Sequence, residues 1–513
     1  MAFARAITTI GGLTLVSRVC GFARDMLMAA VLGAGGVGDA FLVAFKFPNL
    51  FRRLFAEGAF NAAFVPLFAG KLHDGGREAA RAFAEEAQAM LSVALVAFVA
   101  ITMLAMPWAM YVFAPGFASD PAKFDLAVDL TRITMPFLAF ISIVSLQGAV
   151  MNAIEKFAVA ASTPTILNIF MIAALLLWPY FADAPVHVLA WSVTLAGVAE
   201  ALWLMLALER AGMGLRWRRP RLSPAIRRLL VLMAPVTFGA GVYQVNVLLD
   251  VVFASFLPTG AISFLYYADR VAQLPLGVIG VAVGTALLPR ISRQIRAGQE
   301  AQSIADQNRA IEGAILLTLP AAIALAVAAI PITAVLFGRG RFGGDEIGAT
   351  AAALAAFAAG LPAQVLVKVL SPGFYAREDT KTPVKIALGA MILNAAVALS
   401  LMPFIAHVGI AIATSVAGWF NAMMLGRVLM KRGHFAADSR LRARLVRIVG
   451  ASIAMGLVVA VADQMLAAAW TGSLLMRVGA LAIVIAAGLA SFGVAALAFG
   501  ATRPAEVKSL MKR

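Results

Sequence analysis

Long runs of apolar residues fill the chain, separated by short clusters of charged or turn-forming residues. Crossing about 30 Å of hydrocarbon takes roughly 20 residues of helix. About fourteen runs meet that length, at residues 7–33, 38–70, 83–113, 127–154, 160–181, 186–209, 226–257, 262–290, 310–337, 347–373, 384–404, 406–430, 445–468 and 474–500. The clearest breaks are Lys71–Arg81, Pro115–Lys123, Arg210–Arg228, Arg290–Arg309 and Arg377–Lys385. The faintest lies near Pro403–His407, where two runs almost touch. This pattern predicts an all-α polytopic membrane protein. The opening MAFARAITTIGG has a short basic start and no small-residue cleavage site after its apolar stretch, so it reads as a first retained helix.

Composition agrees. Hydrophobic residues make up 62% of the 513 positions and charged residues 13%, with a mean hydropathy of +0.91. A soluble domain averages about 45–50% apolar and about 25% charged. Forty-two Lys+Arg against 26 Asp+Glu give a net charge of +16, which in a soluble protein would suggest nucleic acid. Here the basic residues occupy alternate loops: Lys71, Arg77 and Arg81; Arg216 to Arg228; Arg290, Arg293 and Arg296; Arg377, Lys381 and Lys385; Lys431 to Arg447. The opposite side has short or acidic turns around Asp120 and Asp183, with Arg339 and Arg341 as exceptions. The positive-inside rule then places both termini in the cytoplasm. Most of the excess is topology, and no nucleic-acid partner is needed. The single cysteine, Cys20, sits in an apolar run as a small packing residue.

A faint internal repeat accompanies the runs. Residues 40–66 and 263–289 have equal length, open on a small residue followed by Phe-Leu, carry charge before the midpoint and close on proline. Repeated halves are common in transporters. The expected organisation is a first lobe at 1–215, a second at 216–435, and a C-terminal helix pair at 436–513.

A charge at the centre of a spanning helix costs roughly 2.5–3.5 kcal/mol on insertion scales. Charges kept there are expected to face water or one another. The first run holds Ser17, Arg18, Arg24 and Asp25 on one arc with Gly21 in its middle. The second holds Asp39, Lys46, Arg52, Arg53, Glu57 and Asn61. An ideal wheel aligns Asp39, Lys46, Arg53 and Glu57 and leaves Arg52 off the stripe, but Pro48 interrupts the helix, so the phase need not carry through. In the eighth run Ser263, Arg270 and Gly277 share a face, with Gln273 on its flank and Asp269 beside Arg270. Gly280 and Gly284 form a GxxxG spacing that reads as helix packing. Asp250 and Lys368 are lone charges in their runs, and Arg132 lies near a helix start. Charges paired only among themselves would serve assembly. The cations Arg18, Arg24, Lys46, Arg52, Arg53, Arg270 and Lys368 nevertheless outnumber the anions Asp25, Asp39, Glu57 and Asp250. Arginine's planar fork suits phosphate and carboxylate, so a transported anion bearing phosphate fits better than a drug.

Enzyme signatures are missing: there is no GxxxxGK[ST], HExxH or GxSxG, and His73, His187, His407 and His434 have no metal spacing. The expectation is a transporter without catalysis or cofactor, coupled to an ion or to membrane potential, which supplies about 2.3 kcal/mol per charge per 100 mV.

Four segments carry a family likeness: SRVCGFARD at 17–25, FPNLFRRLFAEGAF at 47–60, ADR at 268–270 and FYAREDTKTP at 374–383. In these the chain resembles the MurJ (MviN) lipid II flippases of the MOP exporter superfamily, and the resemblance runs nearly end to end. It implies fourteen helices, two lobes around a cationic cavity, and two C-terminal helices forming a groove for a polyprenyl tail. It also implies movement of the lipid-linked peptidoglycan precursor (undecaprenyl-diphosphate-linked disaccharide-peptide) from the cytoplasmic to the periplasmic leaflet by alternating access. The setting would be a bacterial inner membrane, with membrane lipids and cell-wall synthesis machinery as neighbours. Arg18, Arg24, Arg52 and Arg270 become the expected diphosphate and sugar contacts, with Ser17, Asn49 and Ser263 beside them. Asp25, Asp39, Lys46, Arg53, Glu57, Gln273 and Lys368 become the charges that poise or gate the site. The likeness favours Arg52 over Arg53, against the wheel. Some relatives have a carboxylate at the position of Gln273. Some hold sodium where Asp250, Asn394 and Thr414 could correspond, although Ala398 supplies no ligand one turn beyond Asn394. The alternative is an exporter of another polyprenyl-diphosphate glycan, or a multidrug exporter of the same superfamily.

Overall fold

The structure is a computed structural model that describes residues 2–53, 60–181 and 184–502; for residues 2–8, 235–243 and 278–286 only the backbone is described. Among the described residues every regular element is helical. The first eight helices are α1 (Ala2–Leu32), α2 (Gly36–Phe51), α3 (Phe60–Leu104), α4 (Met106–Phe113), α5 (Pro121–Thr134), α6 (Phe137–Ala153), α7 (Phe157–Leu177) and α8 (Pro185–Arg210). Then follow α9 (Pro224–Ser255), α10 (Ala261–Arg296), α11 (Glu300–Val327), α12 (Ala329–Phe337), α13 (Gly344–Tyr375), α14 (Lys381–Lys431), α15 (Ser439–Met465) and α16 (Leu474–Ala498). Each of the fourteen apolar runs is mostly helical where it is described, and three of them, 83–113, 127–154 and 310–337, are each broken into two helices by a turn at Ala105, at Met135–Pro136 and at Ala328. By length and hydropathy alone, 9 helical stretches among the described residues can cross a membrane.

Helix ends follow local chemistry. Prolines open α5, α8 and α9, where the missing N–H costs nothing. Asp120, Ser223, Asp438 and Ser473 cap α5, α9, α15 and α16 by accepting an N–H of the first turn. Helices overrun the apolar runs: only residues 297–299 separate α10 from α11, where the sequence reading had a long break at Arg290–Arg309. Hydropathy marks the part of a helix in lipid, and the helix itself continues into water. The break expected at Lys71–Arg81 likewise shrinks to one non-helical residue, Gly76 (φ 70°, ψ −169°). The faint boundary near Pro403–His407 is a kink at Ile405 and Ala406, the latter at φ 47° and ψ −130°, so α14 is two spans joined almost without a loop.

The chain forms two compact units. Unit 1 is Met1–Ser263 with Gly340–Phe342, and unit 2 is Phe264–Arg339 with Gly343–Arg513. In unit 1, α1 packs on α7, α7 on α8, α2 on α5, and α3 on α6 and α9. A ladder of Phe60, Phe64, Phe68 and Phe83 rings, with centroids 5.1, 5.5 and 5.4 Å apart, closes one end of α3. In unit 2, α13 packs on α11, α12 and α14, while α15 packs on α11 and α16. Its core joins Ile311, Ile315, Val365, Val369, Phe374, Leu425 and Leu429. Large apolar side chains remain outside, such as Leu475 at 83% and Leu489 at 72% exposure. In water such a surface would be a liability; in hydrocarbon it is solvated.

Candidate functional site

Unit 1 gathers most of the intramembrane charge. Arg24 of α1 is buried, and its Nη2 and Nε donate to Asp25 Oδ1 at 2.7 and 3.0 Å. Its Nη1 donates to Asn168 Oδ1 of α7 at 2.9 Å, and its guanidinium lies 5.4 Å from the Phe45 ring centroid. Asn168 in turn donates to the carbonyls of Ser17 and Pro164. Gly21 faces this amide: a Cβ there would sit 3.5 Å from Asn168 Nδ2. The polar arc of α1 is thus partly consumed in fixing Arg24, with Asn168 as a partner that the sequence reading did not select. Ser17 is half-buried and Arg18 is exposed.

Asp39 forms a second node. Its Oδ2 accepts from Lys123 Nζ at 2.9 Å and from the Gly260 N–H at 2.7 Å. Its Oδ1 accepts from the Ser263 N–H at 3.0 Å and the Ser263 hydroxyl at 2.7 Å. Asp39 is 1% and Lys123 is 8% exposed. The carboxylate of α2 therefore holds α5 through a charge and caps the first turn of α10, where N–H groups and the helix dipole favour an anion. Gly38 permits this approach, because a Cβ there would meet the Gly33 carbonyl oxygen at 2.7 Å. Ser263, expected beside the substrate, spends both its N–H and its hydroxyl on Asp39. Lys123 ends the Pro115–Lys123 break, where nothing in the sequence marks it as the partner of Asp39.

Beyond Pro48 the chain enters a wide, π-type turn at Arg52 and Arg53. Such a turn shifts the phase of the helix, which is why an ideal wheel misplaces the two arginines. Arg52 is half-buried and its charge acts on Glu200 of α8, while Arg53 is exposed. Glu200 is 1% exposed. It stands midway along the sixth apolar run, where the cost of an intramembrane charge makes it conspicuous in the sequence. Lys46 is half-buried, and so is Asn49, which donates to the Phe45 carbonyl at 2.7 Å. Asp250, in α9, is half-buried. Glu57 and the GxxxG at Gly280 and Gly284 lie outside the described side chains.

Unit 2 holds the remaining candidates. Arg270 is half-buried; its Nη2 donates to the Tyr266 hydroxyl at 3.2 Å, and its guanidinium lies 4.9 Å from that ring's centroid. Gln273 is exposed and bonds Asp269. Lys368 is exposed on α13. Asn394 is buried in α14, and Thr414 turns its hydroxyl back to the Ile410 carbonyl at 3.1 Å. Among the described residues no group of three or more His, Cys, Asp or Glu could hold a metal.

A loop-side network completes the electrostatics. Glu85 accepts from Arg81 Nε, the Arg216 N–H and Arg218 Nε at 3.0, 3.0 and 2.6 Å, pinning the 211–223 connection onto α3. In unit 2, Asp379 accepts from Arg432 Nη1 at 2.6 Å. The Arg432 bond, aided by Thr382, holds the Asp379 carboxyl well below the usual carboxylate range. Burial, with the nearby Arg377 charge, pushes the His434 imidazole below its ordinary value.

The family model for the lipid II flippase MurJ matches residues 28–502. The chain belongs to the MurJ family. A probable lipid II flippase MurJ of Rhizobium tropici is 41% identical over 100% of this chain and 97% of its own length. The lipid II flippase MurJ of Burkholderia cenocepacia is 37% identical over 88% of each chain. Among solved structures, a lipid II flippase MurJ in an inward closed conformation superposes with a TM-score of 0.78 at 25% identity, covering 96% of this chain and 98% of the other. A multidrug resistance MATE transporter of the MOP superfamily, at 13% identity, superposes with a TM-score of 0.69 over 83% of this chain and 98% of its own. That likeness shows the fold alone. MurJ membership and the helical architecture together make this a multi-pass membrane protein of a transporter family.

Proposed function

We propose that this MurJ-family protein translocates lipid II, the undecaprenyl-diphosphate-linked disaccharide-peptide precursor of peptidoglycan, from the cytoplasmic to the periplasmic leaflet by alternating access. The observation that carries the reading is the family match across 28–502, joined by full-length relatives that bear the flippase name. The chemistry of the chain supports it. A diphosphate needs cationic donors, and the family likeness points to Arg18, Arg24, Arg52 and Arg270. In this proposal Arg18 and Arg52 contact the phosphates directly, because Arg24 is already committed to Asp25 and Asn168. Arg24 positions α1 and adds to the local positive potential. Arg270, stacked on Tyr266, offers a preorganised fork of the kind that suits phosphate or sugar. Asp39 and Lys123 set the ends of α2, α5 and α10 and do not touch substrate.

The protein resides in a bacterial inner membrane with both termini in the cytoplasm, as the arginine-rich loops require under the positive-inside rule. It carries out no chemistry on its cargo. Membrane potential or an ion gradient drives the cycle, and the cell-wall synthesis machinery consumes the product. The test is reconstitution in vesicles carrying fluorescent lipid II in the inner leaflet, scored by exposure to a membrane-impermeant quencher. Added protein is expected to speed exposure, and Arg18→Ala and Arg52→Ala to slow it while the melting temperature is retained. If lipid-linked glycans of unrelated structure compete as well as lipid II, the substrate is the broader polyprenyl-diphosphate class.

A further inference from the structure

Pro164 lies inside α7 and brings no N–H to the helix. The Ala160 carbonyl that this N–H would have met accepts the Thr163 hydroxyl instead, at 2.8 Å. One turn further on, Asn168 is 6% exposed and uses both faces of its amide. Its Nδ2 donates to the Pro164 carbonyl of its own helix at 3.1 Å and to the Ser17 carbonyl of α1 at 3.0 Å. Its Oδ1 accepts from Arg24 Nη1 at 2.9 Å. Carbonyls only accept, so the amide nitrogen must face Pro164 and Ser17, which turns the oxygen to the guanidinium. The bond within α7 holds the side chain ready for α1. Met171 of the same helix places its Sδ 3.8 Å from the same Nη1. Gly21 lets α1 come this close, since a Cβ there would already touch the amide at 3.5 Å.

We propose that Asn168 is a positioning residue for lipid II transport, setting the peptide group from which Arg18 reaches the phosphate. The Ser17 carbonyl is half of the peptide group that leads into Arg18. Arg18 is exposed, and a long, rotamer-rich arginine is aimed first by the backbone that carries it. This role rests on the reading that Arg18 contacts the diphosphate. Asn168 itself touches no substrate. Its two arms divide the work: the oxygen holds Arg24, which serves stability, and the nitrogen holds the origin of Arg18, which serves transport. Because the amide is neutral, it takes a bond from Arg24 without cancelling a positive charge.

The test is a double-mutant cycle in the vesicle assay, run at limiting fluorescent lipid II with the full-length protein. Melting temperatures are measured on the same preparations. Asn168→Ala is expected to slow transport about tenfold, the loss of one charge-assisted phosphate contact, and to lower the melting temperature. In an Arg18→Ala background the same change is expected to slow transport by less than about twofold while lowering the melting temperature as before. A residue that served the fold alone would give the same factor in both backgrounds. Asn168→Asp keeps an acceptor for Arg24 and loses the donor to Ser17, so it is expected to transport no better than Asn168→Ala. Equal slowing in both backgrounds, or wild-type transport by Asn168→Asp, overturns the role of Asn168 and leaves the proposed function standing. Undiminished transport by Arg18→Ala overturns the reading of Arg18 and the role of Asn168 together.

Discussion

Asp39 and Lys123 form a buried pair in which each residue is costly without the other. Removing one partner of such a pair leaves an uncompensated charge and typically costs about 3–5 kcal/mol. Lys123→Ala and Asp39→Ala are each expected to lower the melting temperature of the purified protein sharply. The Asp39→Asn/Lys123→Met combination is expected to recover part of the loss, and a double-mutant cycle measures the coupling. Arg24 should behave like this pair and Arg18 should not. Arg24→Ala removes a buried partner of Asp25 and lowers stability and transport together, whereas Arg18→Ala, at an exposed position, lowers transport alone by about tenfold, one charge-assisted hydrogen bond's worth. The sequence made Arg18, Arg24 and Asp25 conspicuous because charge inside apolar runs is expensive. It did not disclose their partners: Asn168 and Lys123 lie 144 and 84 residues away from the groups they serve. Glu200 was legible by the same cost argument. The choice between Arg52 and Arg53 was not, because the wide turn after Pro48 breaks the periodicity on which a helical wheel depends.

Among the elements, α14 and the connections around it carry the clearest consequences. Ala406 holds a positive φ of 47° with ψ near −130°, a conformation that costs a non-glycine residue about 1–3 kcal/mol. Ala406→Gly is expected to raise the melting temperature slightly, and Ala406→Val to lower it. The boundary between the two runs that almost touch is faint in sequence, since no polar loop marks the kink, and the backbone places it at Ile405 and Ala406. At the start of the same helix, the Asp379 carboxyl is depressed by its Arg432 bond. Its contribution is complete above the unfolded value of about 3.9 and fades as pH falls below that towards the folded value. His434, held below its ordinary value of about 6.5, acts in the same direction, because the unfolded chain takes up its proton first. Stability should therefore fall from about pH 6.5 downwards, and Asp379→Asn should flatten the acid limb of the melting-temperature profile.

For the whole molecule, the positions of the spans were readable in the apolar runs, because lipid imposes a length and a composition on every crossing helix. Helix lengths were not, since Arg290 to Arg296 continues α10 outside the apolar region. The positive charge also divides differently from first appearance. Loop arginines include the structural clamps on Glu85 and Glu312, Lys123 is held by Asp39, and the intramembrane Arg24 is held by Asp25. The proposed function draws on Arg18, Arg52 and Arg270 to meet the anion. The most direct test of the central claim is the amount of lipid II accessible at the outer face of cells in which this protein is depleted and no other flippase is present. Translocation by this chain predicts that external lipid II disappears while total lipid II accumulates, and that re-expression of the chain restores it. External lipid II at undiminished levels after depletion would contradict the claim.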